Sequence, residues 1–319
     1  MTSSSDFNDS QKKALEDMKD AYTARRLIPF IGSGFSRNVN LFPDWDKFII
    51  KLQTKLKREV DKKISLRKSF SKNNIQATEA FVYLIGKKRT SKPNPTIEDI
   101  KNAGYTELVG VLKDEFANVT YDNSDPSWDL HRKFIKMFET IYTTNWDDLL
   151  EKTYIGVKGI DQTYRPIINY ENFIHFINDD KTKQIIKFHG DYRDKDSLIA
   201  TESDYLYRIE TRSFLDTKLI NDFLHNSFLY MGFSFDDIFI KYMLFQLFIL
   251  RGKNNIINGE PKTYMVSINH YDECKDAYFK SQGISVYYLF PEKKKSESTN
   301  NNEIRNKYLQ FLKDLNRGN

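Results

Sequence analysis

Six short apolar runs, separated by segments of helical period, set the expected architecture. They cover residues 27–31, 140–144, 184–190, 228–232, 263–269 and 284–289. A short apolar run bounded by turn residues is the mark of a strand buried on both faces, as in a parallel sheet. Between the runs, apolar positions recur every three or four residues. Residues 11–26 put Ala14, Leu15, Met18, Ala21 and Tyr22 on one helical face, and 45–57 predict a second helix with Asp44 as its N-cap. Residues 50–130 are mostly helical in pattern, broken by the polar loops 90–95 and 118–126. Strands alternating with helices predict an α/β fold: a mainly parallel sheet flanked by helices, with 50–130 as a helical insertion after the first βα unit. The chain reads as a single domain over 1–319, with a polar tail at 1–8, a polar surface loop at 291–302 and a C-terminal helix over 303–319. No internal repeat is visible.

The ends of five runs carry small or polar residues: Gly32-Ser33-Gly34-Phe35-Ser36, Thr144-Asn145-Trp146-Asp147, His189-Gly190-Asp191, Gly232-Phe233-Ser234 and Ile268-Asn269. Open α/β sheets bind ligands beyond the carboxyl ends of their strands, so five polar ends together predict a ligand crevice. Gly32 to Ser36 has the glycines that let a backbone approach a pyrophosphate. A Rossmann fingerprint would have glycine at Arg37, and no Lys-Ser/Thr pair follows, so neither that motif nor a Walker loop is complete. Asn145 and Asp147 flank Trp146 just after a strand. Helix capping accounts for one of these two polar groups, and the other is free to face a ligand. His189, at a strand end beside a glycine that clears space, is the candidate base near neutral pH. His131, His175, His225 and His270 lie in helical or loop contexts without paired ligands, and no metal site is expected. His189-Gly190-Asp191 is similar to one box of metallophosphatases, whose other His/Asp boxes are missing. A serine hydrolase built on Ser36 or Ser234 with His189 and Asp191 is disfavoured, because neither serine sits in a G-x-S-x-G elbow.

Composition narrows the classes. The 319 residues include 24 Phe, 19 Tyr and 3 Trp, too many aromatics for a disordered chain despite 29% charged residues. No run reaches the roughly 18–20 apolar residues of a membrane span. The N-terminus has no apolar signal core, so a soluble cytoplasmic protein in a reducing compartment is expected. The net charge of +5 is local in origin: residues 51–72 carry nine basic side chains against Glu59 and Asp61, a segment charge of +7. That stretch reads as a solvated helix face or an acidic-partner surface, with direct nucleic-acid binding the minority reading. The single cysteine, Cys274, rules out an internal disulfide and any four-cysteine zinc module.

Taken in order, Gly32-Ser33-Gly34-Phe35-Ser36, Thr144-Asn145-Trp146-Asp147, Lys187-Phe188-His189-Gly190, Gly232-Phe233-Ser234 and Ile268-Asn269 resemble the NAD-binding core of sirtuins over about residues 25–290. The match is to the sirtuin-like domains of bacterial anti-phage defence proteins rather than to protein deacylases. The resemblance implies a Rossmann-like fold and NAD+ as substrate, with no metal required. It implies that Gly32, Ser33, Gly34 and Ser36, helped by Arg37, hold the pyrophosphate. Thr144 would help bind NAD+, Asn145 would meet the nicotinamide ribose hydroxyls or the attacking water, and Asp147 the nicotinamide carboxamide. His189 would act as the base or polarise the ribose, and Gly232, Ser234 and Asn269 would line the adenosine half.

Sirtuin deacylases carry a four-cysteine zinc ribbon beside an acyl-lysine tunnel, and this chain lacks those cysteines. Water then becomes the expected acceptor, and the implied reaction is hydrolysis of NAD+ to nicotinamide and ADP-ribose, depleting cellular NAD+ in abortive infection. An enzyme that destroys NAD+ needs restraint, so a homo-oligomer or a HerA-type ATPase partner in trans is expected, with the Phe-rich stretch 235–250 suited to an interface or to a core helix. The competing reading is a non-catalytic NAD or ADP-ribose sensor that scaffolds an ATPase or nuclease.

Overall fold

The computed structural model describes residues 4–43, 45–71, 73–159, 166–177, 183–233, 237–250, 262–292 and 300–317. Asp44, Lys72 and Ser234 fall outside these, as do Phe235 and most of the loop after Pro291. Six strands form one sheet: β1 (Leu27–Ile31), β2 (Thr140–Thr143), β3 (Gln184–Lys187), β4 (Ser227–Met231), β5 (Thr263–Ser267) and β6 (Ile284–Tyr288). Their order is β3-β2-β1-β4-β5-β6, with every pairing parallel. This is the Rossmann-like order, in which the chain leaves β1 in one direction for β2 and later returns to its other side for β4. The crevice that this reversal opens lies between the ends of β1 and β4.

The strands read as unbroken apolar runs because both faces of the sheet are covered. Ile31, Ile141, Ile185, Leu229 and Val266 point into one core, against the helices Ser4–Thr23, Asp129–Met137 and Asn301–Leu315. Their neighbours Phe30, Tyr142, Ile186, Tyr230 and Met265 point into the other, against Phe214–His225 and Ile238–Leu250. Phe30 stacks between Tyr142 and Tyr230, at centroid distances of 5.7 and 5.2 Å, which ties the central strand to both neighbours.

The first helix runs Ser4–Thr23, so residues 4–8, expected as part of a polar tail, are helical. Phe7 packs on Tyr271 with centroids 4.6 Å apart, and Gln11 bonds the β6 backbone at Val286 and Tyr288. These anchors come from the far end of the sequence, so local period could not reveal them. Between β1 and β2 lie the helices Trp45–Glu59, Leu66–Phe70, Asn74–Arg89 and Ile97–Phe116, packed around their own core of Phe48, Leu52, Phe81, Ile85 and Leu108. Several basic side chains of this region meet acidic ones on the same unit: Lys55 with Glu107 at 2.7 Å, Arg67 with Asp46 at 2.6 Å, and Lys51 with Glu115. Among the described residues, no helix is long and apolar enough to cross a membrane.

Candidate active site

The end of β1 and the end of β4 interlock through backbone alone. The Gly32 amide donates to the Met231 carbonyl at 3.0 Å, and the Gly34 amide donates to the Gly232 carbonyl at 2.9 Å. A Cβ on Gly32 would lie 2.6 Å from the Gly232 oxygen, and one on Gly232 would overlap the Phe35 nitrogen. Gly232 also has φ of +63°, a conformation that side chains resist. These glycines are needed first for one loop to approach another, at the crevice where the strand order reverses. Gly190 likewise does not clear space for a ligand: its φ is +82°, and the Ser197 backbone fills the place of its Cβ.

A cavity of about 1060 Å³ opens over these strand ends, at the top of the roughly 300–1,000 Å³ range of small-ligand sites. Of the residues singled out in the sequence, Gly32, Ser33, Arg37, Thr144, Asn145, Asp147, His189 and Gly232 line it. Gly34 and Ser36 lie behind the wall, and Asn269 is exposed at the end of β5, outside the lining. The opposite wall comes from the helical insertion, including Trp45, Phe48, Asn73 and Phe116. That region is therefore not remote from the strand ends. Trp146 joins the two sides, with its ring centroid 5.0 Å from Trp45 and 6.2 Å from Phe48.

Three polar side chains form a chain that runs from the wall to Ser36 behind it. Asn145 Nδ2 donates to Ser36 Oγ at 3.0 Å, and Ser36 Oγ donates to Asp147 Oδ2 at 3.0 Å. Asp147 Oδ1 accepts from the Leu149 amide at 3.1 Å, at the start of the helix Leu149–Lys158. Asp147 thus takes the capping role, and Ser36 holds Asn145 in place. Burial pushes the Asp147 carboxyl up to about 6, against the opposing pull of Lys187.

Lys187, wholly buried at the end of β3, donates to the carbonyl of Trp146 at 2.9 Å and to that of Asp147. Its ammonium also meets Asp191 Oδ2 at 2.7 Å and Glu151 Oε1 at 3.4 Å. Arg193 closes the cluster on Asp191 at 2.7 Å. Burial alone would raise Asp191, but Lys187 and Arg193 outweigh it and hold the acid at about 2. Burial lifts Glu151 to about 7, with Lys187 opposing. The cluster clamps the loop that carries Asn145 and Asp147 to the strand that leads to His189.

His189 is buried, and Nδ1 lies 3.3 Å from the hydroxyl of Tyr205. Tyr205 donates to Asp237 Oδ2 at 3.2 Å, and the same carboxylate oxygen stands 3.4 Å from His189 Nε2. Burial lowers His189 to about 4, with Asp237 pulling the other way, so the ring is neutral at pH 7. Two buried polar atoms on the lining residues, His189 Nε2 and Trp146 Nε1, have no hydrogen-bond partner among the described residues.

Tyr205, Asp237 and the ion cluster escaped the sequence reading. Lys187 left one trace, as a cation ending an otherwise apolar strand. Tyr205 left none, since its helix, Glu202–Thr211, has no unusual local pattern. Among the described residues, no group of three or more His, Cys, Asp or Glu side chains could hold a metal ion.

Residues 139–287 match the SIR2-like domain. The NAD(+) hydrolase ThsA of Acinetobacter baumannii (strain 532279) is 23% identical over 247 residues, covering 75% of this chain and 42% of that protein. The NAD(+) hydrolase ThsA of Enterococcus faecium is 32% identical over 102 residues, 31% of this chain and 20% of its own length. That of Cytobacillus dafuensis is 25% identical over 117 residues, 36% of this chain and 23% of its own. The chain spans less than half the length of each of these relatives. The parallel sheet and its crevice at the β1–β4 reversal agree with the similarity of residues 139–287 to the SIR2-like domain.

Proposed function

We propose that this chain is an NAD+ glycohydrolase that cleaves NAD+ to nicotinamide and ADP-ribose. The observation that carries the reading is the cavity itself, with Asn145 and His189 on one wall at the reversal point of the sheet. Relatives named NAD(+) hydrolase support it. In the proposed step the bond from ribose C1′ to the nicotinamide nitrogen breaks, and its electron pair neutralises the pyridinium. Water adds to C1′ and gives up a proton. The transition state is oxocarbenium-like, so the protein's part is to orient the ribose and receive the proton rather than to supply a strong nucleophile.

Asn145, held by Ser36, would fix the ribose hydroxyls or the water, and neutral His189 would accept the proton. Ser33 and Arg37, at the start and end of the short turn after β1, would meet the pyrophosphate, while Gly232 keeps that turn seated. Asp147, already bonded to Ser36 and Leu149, is better suited to positioning Asn145 than to binding the carboxamide. Asn269, exposed at the end of β5 and outside the cavity lining, would meet the adenosine half only where that half extends beyond the cavity.

The biological consequence in this reading is loss of cellular NAD+ during phage infection. Restraint would come from self-assembly or from a HerA-type ATPase in trans. The helix Ile238–Leu250, apolar on most faces and exposing Phe245 and Ile249, suits a contact between copies. The test is nicotinamide release from NAD+ by the purified chain, alone and with a candidate partner, alongside a sizing-column concentration series. Asn145→Ala and His189→Ala should each lower the rate by about 100-fold or more. Tight binding of NAD+ with no product in any assembled state would replace this reading with that of a nucleotide sensor.

A further inference from the structure

We infer that Tyr205 and Asp237 position His189 as the proton acceptor, fixing its one ring proton on Nδ1 and leaving Nε2 without a hydrogen. The inference rests on the reading under Proposed function for the reaction, but its tautomer claim stands on geometry alone.

Tyr205 has a single hydroxyl proton, and of its two neighbours only Asp237 Oδ2, a carboxylate oxygen 3.2 Å away, must accept rather than donate. The Tyr205 oxygen can then only accept from the imidazole nitrogen 3.3 Å away, so that nitrogen, Nδ1, carries the hydrogen. A neutral imidazole holds one such proton, so Nε2 keeps its lone pair. Nε2 is also the nitrogen that has no hydrogen-bond partner among the described residues. The Asp237 carboxylate lies 3.4 Å from it, close enough to offset the positive charge once the ring is protonated.

Other charged groups near the ring do not duplicate this role. Arg208 opposes protonation of His189, but its guanidinium is engaged with Asp216 at 2.7 Å and with the Phe188 carbonyl. Asp216, which favours protonation, is occupied by that same arginine. Asp237 therefore remains the carboxylate available to the ring. In the reaction, the proton lost by water as its oxygen bonds to C1′ passes to Nε2, giving an imidazolium, and later leaves to solvent. Tyr205 and Asp237 act through His189 and touch no reacting atom in this account, so they are positioning residues.

Two measurements on the full chain test this. The first is ¹⁵N NMR of the histidine ring in wild type, Asp237→Asn and Tyr205→Phe, with His189→Ala used for assignment. Wild type should show a protonated Nδ1 and a bare Nε2, and Asp237→Asn should titrate at lower pH because the compensating charge is gone. A proton on Nε2 in wild type, or a titration unmoved in Asp237→Asn, would overturn the inference. The second is the pH profile of nicotinamide release. Both variants should keep KM within about threefold and lose about 10- to 100-fold in kcat, with a shifted acid limb in Asp237→Asn. Loss confined to KM would also overturn it. Tyr205→Phe changes only one oxygen and keeps the test available if Asp237→Asn does not fold. A wild type that releases no nicotinamide would sink the proposed reaction, while the NMR result would still decide the tautomer.

Discussion

Replacing Lys187 with methionine keeps most of the side chain's length and removes only its charge, which makes the buried cluster directly measurable. Lys187 is fully buried and serves Asp191 at 2.7 Å, Glu151 at 3.4 Å and two backbone carbonyls. Removing one partner from a buried ion pair costs about 3–5 kcal/mol, because the remaining charge stays out of water. Arg193 still covers Asp191, so the lower end applies, about 3 kcal/mol. At roughly 2 °C per kcal/mol for a large domain, Tm should fall about 6 °C at pH 7 by calorimetry.

The pH dependence separates this mechanism from simple cavity formation. Asp191 is held at about 2, below its ordinary 3.8, so it adds stability above pH 4 that is lost as pH falls toward 2. That shift corresponds to about 2 kcal/mol, the same order as the mutational estimate. Glu151 is raised to about 7 from 4.5, so its neutral form stabilises below pH 4.5 and that contribution is lost as pH rises through 7. Without Lys187, both acids titrate higher still. The deficit of Lys187→Met should therefore be largest near pH 8 and shrink below pH 5. A deficit below about 1 kcal/mol, or one constant from pH 4 to 8, would refute the ionic account.

Two further outcomes follow from single contacts. Gly232→Ala should cost about 2–4 kcal/mol and impair NAD+ binding, because the methyl group meets the Phe35 backbone at φ of +63°. Gly159→Ala, at φ of +65° but in open space, should cost only about 1 kcal/mol by urea denaturation, and equal losses would contradict the loop-interlock argument. His131 is fully buried against Phe35 and lacks hydrogen-bond partners among the described residues, and burial lowers it to about 3 from 6.5. Its contribution is present above pH 6.5 and lost as pH falls, about 2–3 kcal/mol by pH 4.5. His131→Leu should lose this acid slope, seen as a flatter Tm profile between pH 6.5 and 4.5; an unchanged profile would remove His131 from the acid sensitivity.

The site was partly legible before the structure. Asn145 and His189 stood out because a polar residue directly after an apolar run must lie at a strand end. A glycine looks the same in sequence whether it yields to a ligand or, as at Gly190, to the Ser197 backbone. Asn269 was grouped with the others on the same strand-end rule. The sheet order sets it apart: β5 lies beyond β4, two strands from β1. Tyr205 could not be found at all, since its claim rests on meeting His189 across 16 positions of chain.

Local pattern by itself determined the six strands, the α/β class and the lack of a cysteine zinc module. Burial on both faces writes a continuous apolar run into each strand, and a missing residue type needs no fold to be counted. The tertiary structure alone decided which strand ends meet, that the insertion walls the cavity, and that Lys187, Ser36 and Asp237 hold the residues at its surface. Those are pairings between distant positions, set by strand order and helix packing, and a period of two or 3.6 residues carries no information about either.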